Sequence, residues 1–123
     1  MILKDGKTLL ALRKGSHGAG EYAFPGGHLE FGESFEQAAK RETLEESGIT
    51  IKNVQFATTT NDIYNNEEKH YITIFLISEY DHGEARIMEP EKASEMDWFE
   101  WKDLPSPLFL PVQTLVDSGF NPF

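Results

Sequence analysis

The chain has 123 residues, 39% of them hydrophobic and 12% aromatic, which suits one domain over residues 1–123 with one core and is far from the disordered class. Its formal net charge of -10 argues against a sequence-independent grip on DNA or RNA, so an anionic substrate needs a divalent cation or a local basic cluster. The absence of cysteine excludes disulfides, thiolate catalysis and Cys-ligated zinc.

The opening MILKDGKTLL lacks the basic-then-apolar pattern of a signal peptide, and the longest apolar run, YITIFLI, is too short to cross a bilayer. A soluble, cytoplasmic protein is the expectation. MIL, KDG and KTLLALRK predict a hairpin turned at Asp5-Gly6, with a first strand of only three residues. Arg13 and Lys14 lead into GSHGAGEYAFPGG, a Gly-rich loop that Pro25-Gly26-Gly27 brings to a stop. Ser34 is a helix cap with Gln37 as its capping-box partner, and the helix runs to Ser47 and stops at Gly48. VQFATTTND and HYITIFLISEY predict strands, the second central and mostly buried, joined by a polar loop over residues 65–69. EARIMEPEKASE predicts a loop, MDWFEW a late strand, and LPVQTLVDSG a short helix closed by Gly119. Two helices among more numerous strands, each with an apolar face to cover, indicate an α/β or α+β sandwich.

The first helix is unusually acidic. At roughly 100° per residue, Phe35, Ala38, Ala39 and Glu42 fall on one side, with Glu45 and Glu46 flanking Glu42, while Gln37, Lys40 and Ser47 point away. The apolar stripe therefore runs into three carboxylates, whereas a solvated acidic face would lie opposite it. Leu44 on the far side is the one misfit. Two like charges about 4 Å apart repel by roughly 1 kcal/mol in water and roughly 4 at a partly buried site. Carboxylates suit magnesium or manganese, so the spacing E-x-x-E-E fits a divalent-metal platform; a surface cluster of glutamates fits the spacing as well.

The stretch also resembles the box of the Nudix family, G-x5-E-x7-R-E-U-x-E-E-x-G-U, with U aliphatic, over residues 27–49. Gly27, Glu33, Arg41, Glu42, Glu45, Glu46, Gly48 and Ile49 fall in register, and Thr43 at the first U position is the departure. With residue frequencies near 7%, seven fixed letters align by chance in about one register in 10⁸, so the match is not accidental.

Nudix proteins use magnesium or manganese to hydrolyse a nucleoside diphosphate linked to another moiety. The resemblance implies an α/β Nudix fold, an α/β/α sandwich with a central mixed sheet. It implies Glu42 and Glu46 as metal ligands, Glu45 as a further ligand or the base that activates water, and the carbonyl of Gly26 as another ligand. Arg41 resembles the arginine that pairs with Glu33 and orients the catalytic carboxylates; the alternative role for Glu33 is to act on the metal through water.

The likeness continues outside the box. RKGSHGAGEYAFPGGHLEFGE, HYITIFL and EPEKASEMDWFEWKDLPSPLFLPVQTLVDSGFNPF resemble MutT-like members that act on purine nucleoside triphosphates or on dihydroneopterin triphosphate and prenyl diphosphates. By position Arg13, His28 and Thr73 correspond to phosphate- or base-side contacts, and Phe109 and Leu110 to a wall of the organic pocket, although PLFLP also suits a core. Leu110 stands where these members carry tryptophan, which removes a stacking surface, and Pro111 has no N–H to donate. The short first strand implies a divergent start or an incomplete chain. Glu89, Glu91 and Glu95 are candidates for a distal metal-side acid in a segment that equally suits a solvated loop. His17, His70 and His82 lack spacing partners and are expected to be structural or surface residues.

The function implied is magnesium-dependent hydrolysis of a (deoxy)nucleoside triphosphate to monophosphate and pyrophosphate. The alternatives are a nucleotide-sugar or prenyl diphosphate substrate, or a silent Nudix-fold sensor, which the intact acids disfavour. The expected partners are a small di- or triphosphate, no nucleic-acid polymer, no membrane and, by analogy, a second copy in a homodimer.

Overall fold

A strand turns successive side chains to opposite faces. In β2 (Lys7–Arg13) Leu9 and Leu10 are nonetheless both fully buried, so the sheet is covered on both sides. Leu9 packs with Ile2, Ile49 and Ile51 under Ala39 of α1 (Phe35–Ser47). Leu10 packs with Ala23 and Val112, the latter on α2 (Leu110–Asp117), and Leu115 of the same helix packs on Phe75. One helix on each face is the expected α/β/α sandwich. The computed structural model describes residues 1–15 and 17–123; among them no helix is long and apolar enough to cross a membrane.

The sheet is mixed. β2 carries β6 (Ala93–Glu100) along one edge; the other edge is shared by β1 (Ile2–Lys4) and β3 (Tyr22–Ala23), all antiparallel to it. β1 then pairs in parallel with β5 (Lys69–His82), and β5 pairs antiparallel with β4 (Thr50–Tyr64). The hairpin at Asp5-Gly6 and the two helices lie as expected. β3 falls in a stretch expected to be all loop, and β4, β5 and β6 begin earlier than their apolar patterns. The polar connection contains a 3-10 turn, Asn65–Glu67, and Trp101 leaves the late strand for another, Trp101–Asp103.

The expectation of a mostly buried β5 is corrected. β1 pairs with it at Ser78 and Glu79, so, among the described residues, 69–77 form a two-stranded ribbon with β4 and no third strand. Phe75 is buried on its inner face, while Phe56, Ile63, Ile72 and Ile74 stand exposed on the outer one.

In α1 the Ser34 hydroxyl accepts from the Gln37 N–H at 3.1 Å and the Gln37 side chain accepts from the Ser34 N–H at 2.9 Å. Such a cap stabilises a helix by about 1 kcal/mol. Gly48 ends the helix at φ 74°, a left-handed conformation that glycine adopts without strain, its N–H donating to Leu44 O. The expected facing of the helix is wrong in two places. Ser47 is fully buried and Phe35 is 45% exposed, because the helix docks along Ala39, Thr43 and Ser47, spaced by four. The Ser47 hydroxyl donates to Thr43 O at 2.6 Å, which removes the cost of burying it.

Candidate functional site

Docking along that line turns Glu42 and Glu46 to the rim of the helix, half-buried, beside the loop that follows β3. The Gly26 N–H donates to Glu46 Oε2 at 2.9 Å. At Gly27 a Cβ would lie 2.5 Å from Glu42 Oε1, so glycine lets the loop backbone close on this carboxylate. Arg41 supplies the local positive charge. Its Nε and Nη2 donate to Glu33 at 2.6 and 2.9 Å, its Nη1 to Glu42 at 2.8 Å, and its Nη2 to His28 O at 3.1 Å. A longer contact of 3.3 Å reaches Glu45, whose side chain is about half exposed. Bidentate guanidinium pairing holds the Glu33 carboxyl down at about 2, helped by the Glu30 N–H.

Glu46 behaves oppositely. Burial pushes its carboxyl up to about 8 against the pull of the Gly26 N–H, and the charges of Glu42 and Glu89 add to the rise. Glu89 reaches this position because its loop runs along the end of α1: the Arg86 N–H donates to Ser47 O and the Met88 N–H to Glu46 O, satisfying carbonyls a helix end leaves open. One Glu89 oxygen faces Lys92 at 3.4 Å and the other is buried without a partner. Of the three distal candidates Glu89 is thus the one beside the helix acids; Glu95, on β6, accepts from the Tyr22 hydroxyl, and Glu91 is exposed. Among the described residues no three acid or histidine side chains converge on a single point. The donor set is nevertheless all oxygen, partly desolvated and crowded with carboxylates, which fits a hard divalent cation.

Several of the other expected site residues form a separate group. The Arg13 guanidinium lies 4.1 Å from the centre of the Phe109 ring and donates twice to His17 O. His17 packs on Tyr64 and Phe109 at 4.8 and 5.5 Å, and its Nδ1 meets Glu67 at 2.7 Å. A cavity of about 180 Å³ opens here, lined by His17, Gly18, Glu21, Tyr64 and Leu110 among others. Phe109 is held by its N–H on Tyr22 O, and Pro111 sits in the first turn of α2, where a missing N–H costs nothing. Thr73 donates to Asp62 at 2.7 Å from the inner face of the ribbon. The His28 side chain is exposed, and only its carbonyl joins the cluster.

Arg41, Glu33, Glu42, Glu46, Gly26 and the His28 backbone therefore form one group, with Glu45 at its edge. Arg13, Phe109 and Leu110 form a second. His17, expected to be a structural or surface residue, is among those that line the cavity. Tyr64, Asp62 and Glu67 carried no signal in the sequence: they are ordinary strand and turn residues until the ribbon folds under α2. His70 contacts Asn61 and His82 lies exposed beside Asp81.

The NUDIX domain model matches residues 1–115. The chain is 36% identical over 104 residues to the "NAD-capped RNA hydrolase NudC" of Escherichia coli (strain SMS-3-5 / SECEC), covering 85% of this chain but 38% of that protein. It is similar to the crystal structure of a MutT NUDIX hydrolase from Burkholderia pseudomallei, with TM-score 0.81, 33% identity and coverage of 87% and 83% of the two chains. The NUDIX domain of Shewanella oneidensis NrtR complexed with ADP ribose, at TM-score 0.71 and 19% identity over 96% of this chain and 80% of that one, shares the fold.

Proposed function

The chain belongs to the Nudix family, and from that premise we propose that it is a magnesium-dependent pyrophosphohydrolase cleaving a (deoxy)nucleoside triphosphate to monophosphate and pyrophosphate. One observation carries the reading: burial, with the charges of Glu42 and Glu89 nearby, pushes the half-buried Glu46 carboxyl up to about 8 on the rim of the helix. Glu42 and Glu46, with Glu89 and the Gly26 carbonyl, are the groups to hold magnesium or manganese. When bound, the ion screens the phosphates and lowers the pKa of a coordinated water.

The chain's own residues do the rest. Arg41 locks Glu33 and Glu42 in place through its guanidinium, which fixes the rotamers of the acid cluster. Glu45 is the proton acceptor, because its exposed carboxylate is only loosely tied to Arg41. Arg13 and the His28 side chain offer positive or donating groups to the phosphates, and Phe109, Leu110 and Tyr64 present an apolar wall to the organic moiety.

A product panel, reading pyrophosphate from nucleoside triphosphates, two monophosphates from nucleotide sugars and orthophosphate from prenyl diphosphates, tests this. Triphosphate turnover that Glu42→Gln and Glu46→Gln each reduce by at least about 10²-fold is expected; unchanged rates in both variants refute it. The likeness to NudC favours a second reading, hydrolysis of an NAD-type diphosphate, in which the panel releases two monophosphates from NAD. The chain spans 38% of the length of those relatives. Their name includes RNA, whereas the net charge of -10 supports a small-molecule substrate over a nucleic-acid polymer. A homodimer is supported by the outer face of the β4–β5 ribbon, where exposed Phe56, Ile63, Ile72 and Ile74 lie among Thr59, Asn61 and His70 with no carboxylate to repel a second acidic copy.

A further inference from the structure

Glu42, Glu46 and Glu89 lie within reach of one another's charge, and each has a different partner. Glu42 accepts from Arg41 Nη1 at 2.8 Å, Glu46 accepts from the Gly26 N–H at 2.9 Å, and Glu89 faces the Lys92 ammonium at 3.4 Å. The two cations differ in freedom. Arg41 is tied at once to Glu33, Glu42 and His28 O, which locks its guanidinium in place. Lys92 meets one carboxylate oxygen at a longer distance and its side chain is 62% exposed, and an exposed pair of this kind is weak. The other Glu89 oxygen is buried without a partner.

The turn that carries this pair is nonetheless fixed. The Lys92 N–H donates to Glu89 O at 2.9 Å, Lys92 O accepts from the Lys14 N–H at 2.8 Å, and Lys14 Nζ donates to Pro90 O at 3.0 Å. One residue ahead of Glu89, the Met88 N–H meets Glu46 O at 3.1 Å. The backbone therefore keeps Lys92 beside the acids, while its flexible four-carbon stem leaves the ammonium free to move. Its charge reaches beyond Glu89. Burial raises the Glu46 carboxyl, and Lys92 is among the groups that pull it back. In return the hydrogen bond and charge of Glu89 hold the Lys92 ammonium above its ordinary range, with smaller contributions from Glu46 and Glu42. Lys92 thus stands within Coulomb range of all three acids.

We infer that Lys92 is a positioning residue, a tethered counter-ion that holds Glu89 in the metal-free protein and competes with the divalent cation for these acids, so that it sets how tightly the enzyme takes its metal. The inference rests on the metal-dependent reading above. A divalent ion offers the same carboxylates twice the charge, so Lys92 yields and Glu89 turns to the ion. The ammonium stays on its tether, and a unit positive charge within about 7 Å of a divalent ion in a partly wet site opposes its binding by about 10-fold.

The test is isothermal titration of magnesium into the full chain at pH 9, where Glu46 holds little proton to compete. Lys92→Met, an exposed change that leaves the backbone bonds of the turn in place, should tighten binding about 10-fold. Lys92→Arg keeps the charge and should stay within about threefold of wild type. Lys40→Met is the control, removing the same unit charge from α1 but from a side chain paired with Glu36, and it should shift affinity by less than about twofold. In turnover, Lys92→Met should lower the magnesium concentration that gives half-maximal rate by about the same factor as the binding constant. Unchanged or weaker binding by Lys92→Met overturns this inference alone. A Lys40→Met gain of equal size does so too, since net charge would then be the whole cause. If the wild type binds no magnesium, or Glu46→Gln binds it as tightly, the metal reading fails and the inference with it.

Discussion

Loading the site with a divalent cation should expel a proton, and Glu46 sets how much. Its carboxyl sits at about 8 in the metal-free protein, raised by burial and by Glu42 and Glu89. At pH 7 such a group is about 90% protonated, and a ligand carboxylate must be ionised, so cation binding there should release ~0.9 proton. The same protonation weakens apparent affinity about 10-fold at pH 7, with a further tenfold for each unit below it, and leaves it flat above about pH 9. Isothermal titration of magnesium or manganese in two buffers of different ionisation heat, at pH 7 and pH 9, reads the proton count directly. Glu46→Gln should bind weakly and release no proton at either pH. Equal proton release at pH 7 and pH 9 in the wild type would refute the reasoning, since Glu46 would then be ionised already or take no part.

Gly27→Ala places a Cβ 2.5 Å from Glu42 Oε1, the end of a flexible side chain that Arg41 holds at 2.8 Å. The fold should lose under about 1 kcal/mol by thermal melting, while metal-dependent turnover falls about 10-fold or more as Glu42 is pushed aside; unchanged turnover contradicts the placement. Glu33 titrates at about 2 in the fold against an ordinary 4.5, so its pairing with Arg41 stabilises the protein above about pH 4.5 and is lost as the pH falls toward 2. The melting-temperature gap between wild type and Glu33→Gln should therefore be constant above pH 5 and close toward pH 2. A gap that stays flat from pH 6 down to pH 2 would show that the pair does not form.

Local chemistry made part of this architecture legible. The Ser34–Gln37 cap and Gly48 mark the limits of α1 because capping is decided within a few residues. The box letters placed Arg41, Glu33, Glu42 and Glu46 on one rim, and they do gather there. What the sequence hid depends on partners far away in the chain. The rotation of α1 is chosen by the surface it docks on, and Ser47, polar in any pattern, is buried because its hydroxyl finds the Thr43 carbonyl. The exposure of Ile72 and Ile74 belongs to the outer face of the ribbon, which their own apolar pattern does not announce. Two-residue β3 is too short to show a period, and it exists because Ala11 and Leu12 offer it an edge. Glu89 could not be told from Glu91 or Glu95 until the Met88 N–H was seen to meet Glu46 O. His17 and Asp62 belong to the same class, since only the overlap of the ribbon, α2 and the loop before β3 gives them neighbours.

The most direct test is crystallographic. Crystals soaked in manganese should show anomalous density among Glu42, Glu46, Glu89 and the Gly26 backbone, lost in Glu46→Gln crystals. Full manganese occupancy elsewhere, with those carboxylates turned to solvent and nothing between them, would contradict the assignment of this rim as the catalytic centre.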